Sequence, residues 1–123
     1  MLGLGLVSDE DLIALMQRSR VLVNPSLSEL NNGPGLDAWD IGCPVAMSRI
    51  PPFLEHLEFL GVRAQLFEPR CVFEIRDALD RVLSDPAGAM RDAAVSREQM
   101  RRWTWVDVSQ RYADLFLGLL KAG

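Results

Sequence analysis

Histidine, lysine and tyrosine occur once each, as His56, Lys121 and Tyr112, and cysteine occurs twice, as Cys43 and Cys71. No serine–histidine–acid arrangement and no metal-ligand spacing surrounds His56, so its expected place is a helix surface or a packing position. The cysteines are not a metal-spaced pair. Cys43 before Pro44 and Cys71 before Val72 read as small buried positions at a strand start and a helix start, rather than as a disulfide or a reactive thiol. Lysine's scarcity leaves twelve scattered arginines and Lys121 against 17 acids, a formal charge of −4. Proteins that grip nucleic acid present a basic face, so no nucleic-acid partner is expected, although a local pocket for one anionic ligand remains compatible. Long apolar runs are missing too. The opening stretch to Val7 is apolar, but Ser8-Asp9-Glu10-Asp11 interrupts it and no basic residue precedes it, which excludes a signal peptide or a membrane span there. Charge runs and low-complexity segments are absent, and 123 residues suit one domain with a single core.

What is present alternates in period. Ser8 and Asp11 form a capping-box-like start with three acids in the first turn, and Leu12, Leu15, Met16 and Ser19 share a face, predicting an amphipathic helix over about 9–19. Residues 21–24 read as a buried strand ended by Pro25. Residues 25–33 are rich in turn formers, and Pro34 suits the start of a helix running to about Ile41 and stopping at Gly42. Residues 44–48 read as a second strand, 53–60 as a helix stopped by Gly61, and 64–67 as a third strand.

The rest reads as helical. Val72, Ile75, Leu79, Val82 and Leu83 share a face of a helix ended by Asp85-Pro86. Residues 87–102 read as a polar, arginine-rich helix or helix pair. Trp105, Val108, Tyr112, Leu115, Phe116 and Leu119 form a long stripe expected to pack into the core. Three strand–helix alternations predict an α/β domain with a short parallel sheet of about three strands and a helical C-terminus. So small a sheet leaves an edge in need of a partner.

Ligands of open parallel sheets bind beyond the C-terminal ends of the strands, here the loops after Asn24, Ser48 and Phe67. The first loop is the most informative. Glu29 lies in it, and Asp37 follows eight positions on, expected in the first turn of the next helix. Between them Asn31, Asn32 and Gly33 can present backbone N–H groups at a helix N-terminus, a ready anion site. Carboxylates accept hydrogen bonds from vicinal hydroxyls, so phosphate between two polyol ends describes a nucleotide sugar. The plainer reading leaves Asp37 favouring the helix dipole and Glu29 in water. Arg49, after the second strand, could approach a nucleotide or remain a solvated loop charge.

Pro25-Ser26-Leu27-Ser28-Glu29, then Pro34, Asp37-Ala38 and Gly42-Cys43-Pro44-Val45, resembles the donor-site stretch of GT-B glycosyltransferases of the glycogen-synthase and sucrose-synthase kind. Their motif runs Pro-Ser, an acid, seven residues, a second acid, Ala, then Gly-x-Pro-Val. Outside it, the helix opening at Val7–Leu12, Phe67-Glu68-Pro69, Leu83-Ser84-Asp85-Pro86 and Arg102-Trp103-Thr104-Trp105 are similar to family features. Asp37 stands where the family mostly has Glu, and Leu30 and Asn32 where it usually has glycines.

The resemblance implies a partial Rossmann-like three-layer domain, the C-terminal donor-binding part of a retaining glycosyltransferase. It also implies that the domain's first strands, with an Arg and a Lys for the leaving diphosphate, and an N-terminal acceptor domain belong upstream, and that the last helix returns toward that domain, so that part of the Trp105–Leu119 stripe lacks its usual cover in these residues. By it, Glu29 is the catalytic-site acid holding donor-sugar hydroxyls, and Asp37 takes the ribose hydroxyls. Amides around Asn31, Asn32 and Gly33 meet the diphosphate, and Arg49 lies near the nucleotide. No metal or cofactor is implied beyond the nucleotide-diphosphate sugar as substrate. The acceptor would be a carbohydrate or a lipid-linked glycan bound through the other domain. A cytoplasmic location is expected, with membrane association an option for a full-length enzyme. The rival expectation is a non-catalytic α/β interaction module that self-associates through the exposed sheet edge. On charge alone, DNA and RNA should give no mobility shift with this chain at low or at physiological salt; a salt-sensitive shift would refute that.

Overall fold

The computed structural model describes residues 2–122, so Met1 and Gly123 lie outside the described residues. The element order is α1 (Asp9–Arg18), β1 (Leu22–Asn24), α2 (Gly33–Ile41), β2 (Val45–Ser48), α3 (Pro51–Leu60), β3 (Gln65–Phe67), α4 (Val72–Ser84), α5 (Pro86–Met100) and α6 (Trp105–Ala122). Ser8 caps α1 as its spacing implies, its hydroxyl accepting from the Asp11 N–H at 3.2 Å. α2 and α3 end on Gly42 and Gly61, whose φ values of 86° and 70° lie in the left-handed region that glycine enters without cost. α3 begins at Pro51, two residues before the expected start, because Pro51 and Pro52 occupy first-turn positions that need no N–H.

The three strands form one parallel sheet in the order β1-β2-β3. Leu22 pairs with Val45 and Asn24 with Met47, while Ala46 pairs with Gln65 and Ser48 with Phe67. Successive side chains alternate between faces. Val45 and Met47 point into the larger cluster, with Trp39 of α2 and Phe53 of α3 at its centre and Met16 and Val62 at its margin. Ala46 points the other way, to Phe67 and Ala78, where Ile75 and Leu79 of α4 cover it. Helices therefore lie on both faces, the three-layer arrangement expected of a parallel sheet. Two polar groups at the edge of this core are paired. The Trp39 indole N–H donates to the Arg63 carbonyl at 3.0 Å, and the Ser96 hydroxyl of α5 accepts from the Arg63 N–H at 2.8 Å.

Several expectations from periodicity are corrected. Of the α1 stripe only Met16 is buried, while Leu12 and Leu15 are exposed. Val72 and Leu83 of α4 likewise face outward. Of the two alternatives for residues 87–102 the single helix holds: α5 runs from Pro86 to Met100 and is followed by a turn. The α6 stripe does not enter the core: Trp105 is 87% exposed, and Tyr112, Leu115, Phe116 and Leu119 are exposed with it. A helical repeat tells which residues share a face, but not whether the fold brings a neighbour to that face. Both cysteines are free; Cys43 is buried, and burial pushes its thiol pKa up. Among the described residues no helix is long and apolar enough to cross a membrane.

Phe53 is fully buried beneath β2, so Phe53→Ala should cost about 3–5 kcal/mol through lost transfer energy and a cavity. Urea unfolding followed by circular dichroism reads that loss directly; a change under 1 kcal/mol would mean the cluster is not the core described.

Candidate functional site

β1 and β2 each end in a polar residue, Asn24 and Ser48, and both are buried. Burying such groups is tolerable only when they are paired, and they pair with one another. The Ser48 hydroxyl donates to the Asn24 carbonyl oxygen at 3.3 Å. The Asn24 side chain accepts from the Ser26 hydroxyl at 2.8 Å and donates from Nδ2 to Asn32 Oδ1 at 3.3 Å. That last bond spans the whole loop between β1 and α2. It fastens the start of α2 to the C-terminal rim of the sheet.

Asn32 is the N-cap of α2 and is fully buried, yet its side chain makes no capping bond to the helix. Its Nδ2 has no partner, an orphan donor where buried groups are rarely orphaned. The helix ladder starts with the Leu36 N–H donating to the Asn32 carbonyl at 2.9 Å. The N–H groups of Gly33 and Gly35 precede that bond, and Pro34 has none, so the helix start offers two free backbone donors. Gly35 is buried against the Asn32 carboxamide, and a Cβ there would overlap it. The α2 start is therefore amide-lined, with the positive end of the helix dipole beside it.

Glu29 is half-buried in the loop, while Leu30 next to it is 99% exposed. Asn31 is exposed, and Gly33 is half-buried at the first helical position. Asp37 is exposed and belongs to the second turn of α2, a correction to its expected first-turn position that follows from the helix beginning at Gly33. It lines a groove of about 360 Å³ between α1 and α2, shared with Asp9, Met16 and Asp40. Glu29 does not line that groove, and neither acid has an ion-pair partner among the described residues.

Arg49 follows β2 on the same rim. Its backbone N–H donates to the Phe67 carbonyl at 2.7 Å and its guanidinium meets Glu74 at 3.4 Å. Glu74 also accepts from the Glu68 N–H at 2.9 Å. Both charged side chains are about half exposed, so the pair is worth about 0–1 kcal/mol and can be surrendered cheaply. His56 is half-buried on α3 with its Nδ1 unpartnered, and it is not one of the rim groups. Among the described residues no set of three or more His, Cys, Asp or Glu could hold a metal ion.

Sequence reasoning missed the Asn24–Asn32 bridge and the Ser26 and Ser48 hydroxyls that join it. A signal was available: each of the first two apolar strands closes on a short polar residue, where a parallel sheet exposes its ligand-facing rim.

A parallel three-layer α/β fold with an amide-lined helix start on its C-terminal rim defines the chain as an open α/β domain, a class whose ligands bind beyond that rim. The comparisons narrow this: the chain matches a segment of glycosyltransferases with the GT-B fold. It is 30% identical over 118 residues, 96% of its length, to the serotype-specific mannosyltransferase WbdA of Escherichia coli, and 29% identical to two further proteins of that description. The match covers 14% of the length of each relative, so the chain corresponds to a small part of them. Among solved structures, sucrose-phosphate synthase from Thermosynechococcus elongatus superposes with a TM-score of 0.78 at 24% identity, covering 98% of this chain and 30% of that one. No family model matches.

Gly35→Ala tests how tightly the rim is built. Alanine gains up to about 1 kcal/mol in helix propensity, but its Cβ must displace the buried Asn32 carboxamide, which costs about 1–3 kcal/mol in broken hydrogen bonding. The balance should be a net loss of stability in urea unfolding; a gain would mean that the bridge is easily rearranged.

Proposed function

We propose that the chain supplies the donor-binding side of a retaining glycosyltransferase. Such an enzyme moves a sugar from a nucleotide-diphosphate donor to a hydroxyl of a carbohydrate or lipid-linked acceptor. The observation that carries this reading is the amide-lined start of α2, tied to the sheet rim by Asn24–Asn32 and bracketed in sequence by Glu29 and Asp37. Support comes from the match to mannosyltransferases and the superposition on sucrose-phosphate synthase, each over nearly the whole chain.

In this reading the N–H groups of Gly33 and Gly35, with the α2 dipole, hold the diphosphate, and Asn31 and Asn32 shape its cradle. The unpartnered Asn32 Nδ2 is a further donor at the same helix start. Glu29 accepts hydrogen bonds from donor-sugar hydroxyls, and Asp37 from the ribose. Arg49 can leave Glu74 and approach the nucleotide's negative charge. As the bond between the anomeric carbon and the phosphate oxygen breaks, its electron pair passes to the diphosphate. Donors already aimed at that oxygen lower the barrier without reorganising. Retention means the acceptor oxygen joins the face the diphosphate leaves, its proton passing to the departing diphosphate oxygen.

The donor domain's first strands, with the bases that neutralise the leaving group, and the acceptor domain belong in this reading to further sequence. For these 123 residues we therefore expect donor binding with little or no turnover. No metal or cofactor is required by the reading. The second reading, an α/β interaction module without catalysis, draws on the edge strand β1, where Val23 is exposed.

Calorimetric titration of UDP, GDP and their sugars separates the two. The donor site predicts measurable binding that Asp37→Ala weakens about 10- to 100-fold, the loss of charge-assisted hydrogen bonds to ribose hydroxyls. No binding by the unaltered chain, in a sample shown to be folded, would favour the interaction module.

A further inference from the structure

Three helices of this chain are capped by the residue that stands just before them. Ser8, Asp85 and Thr104 accept through their side chains from the third N–H of α1, α5 and α6, at 3.2, 2.8 and 3.2 Å. Short polar residues ordinarily do this at an N-cap. Asn32 stands in the same place before α2 and is among the best capping types, yet its side chain makes no such bond. α5 shows what α2 forgoes. Both helices have a glycine at the third position, Gly88 and Gly35, and in both the cap's side chain lies where a Cβ on that glycine would go. The cap backbones are alike too, with ψ 72° at Asp85 and 54° at Asn32. The Asp85 carboxylate accepts from the Gly88 N–H, whereas the Asn32 carboxamide oxygen accepts from Asn24 Nδ2 at 3.3 Å.

The α2 start is therefore short of acceptors. The ladder begins with the Leu36 N–H, which leaves the Gly35 N–H free, and the fully buried Asn32 Nδ2 has no partner either. Buried donors are rarely left this way, and a small rotation of the carboxamide would bring its oxygen to Gly35. The bond from Asn24 opposes that rotation. Asn24 is itself fixed: its side-chain oxygen accepts from the Ser26 hydroxyl at 2.8 Å and its carbonyl from the Ser48 hydroxyl at 3.3 Å. The end of its amide that is left for Asn32 is the donor end, which takes an oxygen and leaves a nitrogen.

We propose that Asn24 is a positioning residue of the donor site: by holding the Asn32 carboxamide oxygen it keeps the start of α2 uncapped and open to an external anion. This rests on the donor-site reading and adds to it how the site is kept open. A capping oxygen and a phosphate oxygen compete for the same N–H groups and for the same positive end of the helix dipole. In α5 that competition is already decided by Asp85, so its start has no comparable opening. In α2 the competing oxygen is drawn to the sheet rim instead. Asn24 acts through Asn32 in this role and does not itself touch the ligand.

Asn24→Leu removes the donor and keeps the branching of the side chain, so it should release the Asn32 oxygen to cap Gly35. Hydrogen exchange read by NMR should then slow at the Gly35 amide by about 5-fold, the equilibrium equivalent of a typical N-cap bond. Calorimetric affinity for UDP or GDP should fall by about the same factor. A residue that only supported the fold would speed exchange in α2 when replaced. Adding Asn32→Gly to Asn24→Leu removes the competing oxygen, so the double variant should bind more tightly than Asn24→Leu alone. If Asn24→Leu unfolds, Asn32→Asp serves in its place: one carboxylate oxygen can keep the Asn24 bond while the other caps Gly35, and exchange there should slow with the fold intact. Unchanged or faster Gly35 exchange in the folded variant, or a double variant that binds no better than Asn24→Leu, would overturn this proposal while leaving the donor site standing. Slower Gly35 exchange in a chain that binds neither UDP nor GDP would instead overturn the donor-site reading, and the role of Asn24 with it.

Discussion

All four residues of β2 are buried, and it pairs with a strand on each side. The elements packed on its two faces make that burial tolerable. Its apolar side chains are divided between the two faces: Val45 and Met47 meet Trp39 and Phe53, and Ala46 meets Phe67 and Ala78. Its last residue, Ser48, is polar and equally buried, so its hydroxyl must find an acceptor inside the protein. The Asn24 carbonyl is that acceptor, and Asn24 passes the linkage on to Asn32. Requiring a hydrogen bond for one buried hydroxyl thus extends, through two amides, to the placement of a helix start on the sheet rim.

Three elements meet at the same rim. β1 delivers Asn24 and the loop carrying Glu29; β2 delivers Ser48 and Arg49; α2 brings its first-turn amides, while Asp37, one turn later, lines the groove between α1 and α2. Their stabilities differ. The Asn24–Asn32–Ser48 group is buried and mutually satisfied except for one amide donor, whereas Arg49 and Glu74 form an exposed pair that a ligand can rearrange cheaply. The rim thus sets a rigid, buried floor beside a labile surface charge. At the far end of the chain α6 obeys a different constraint. Asp107, Gln110 and Arg111 line a groove with Phe59 and Trp103, and among the described residues its apolar stripe is left exposed.

Much of this was legible beforehand because the relevant signals are local. Ser8 and Asp11 mark the start of α1, Gly42 and Gly61 the ends of α2 and α3, and Asp85-Pro86 the end of α4, each through short-range sterics or a capping hydrogen bond. Short β-branched runs separated by helical periodicity gave the parallel three-layer plan, and the motif from Pro25 to Val45 gave the family resemblance that the comparisons bear out. Burial was less legible. Leu12, Leu15, Val72 and Leu83 keep the helical period yet stay outside, because periodicity names a face without naming its neighbour. Asp37 moved from the first turn to the second because Gly33, which no side chain marks, opens α2.

The sequence by itself determined the elements, their order, the parallel sheet and the loop from which a donor site would be built, since caps, prolines and hydrophobic period act over a few residues. Only the tertiary structure decided that Asn24 and Asn32 meet across that loop, that Arg49 is held by Glu74, and that α6 shows its apolar side to the outside. Arg49 and Glu74 lie 25 positions apart, and even Asn24 and Asn32, eight apart, meet only because α2 packs on the sheet. Such meetings are fixed by how helices pack on a sheet, which no short window of sequence contains.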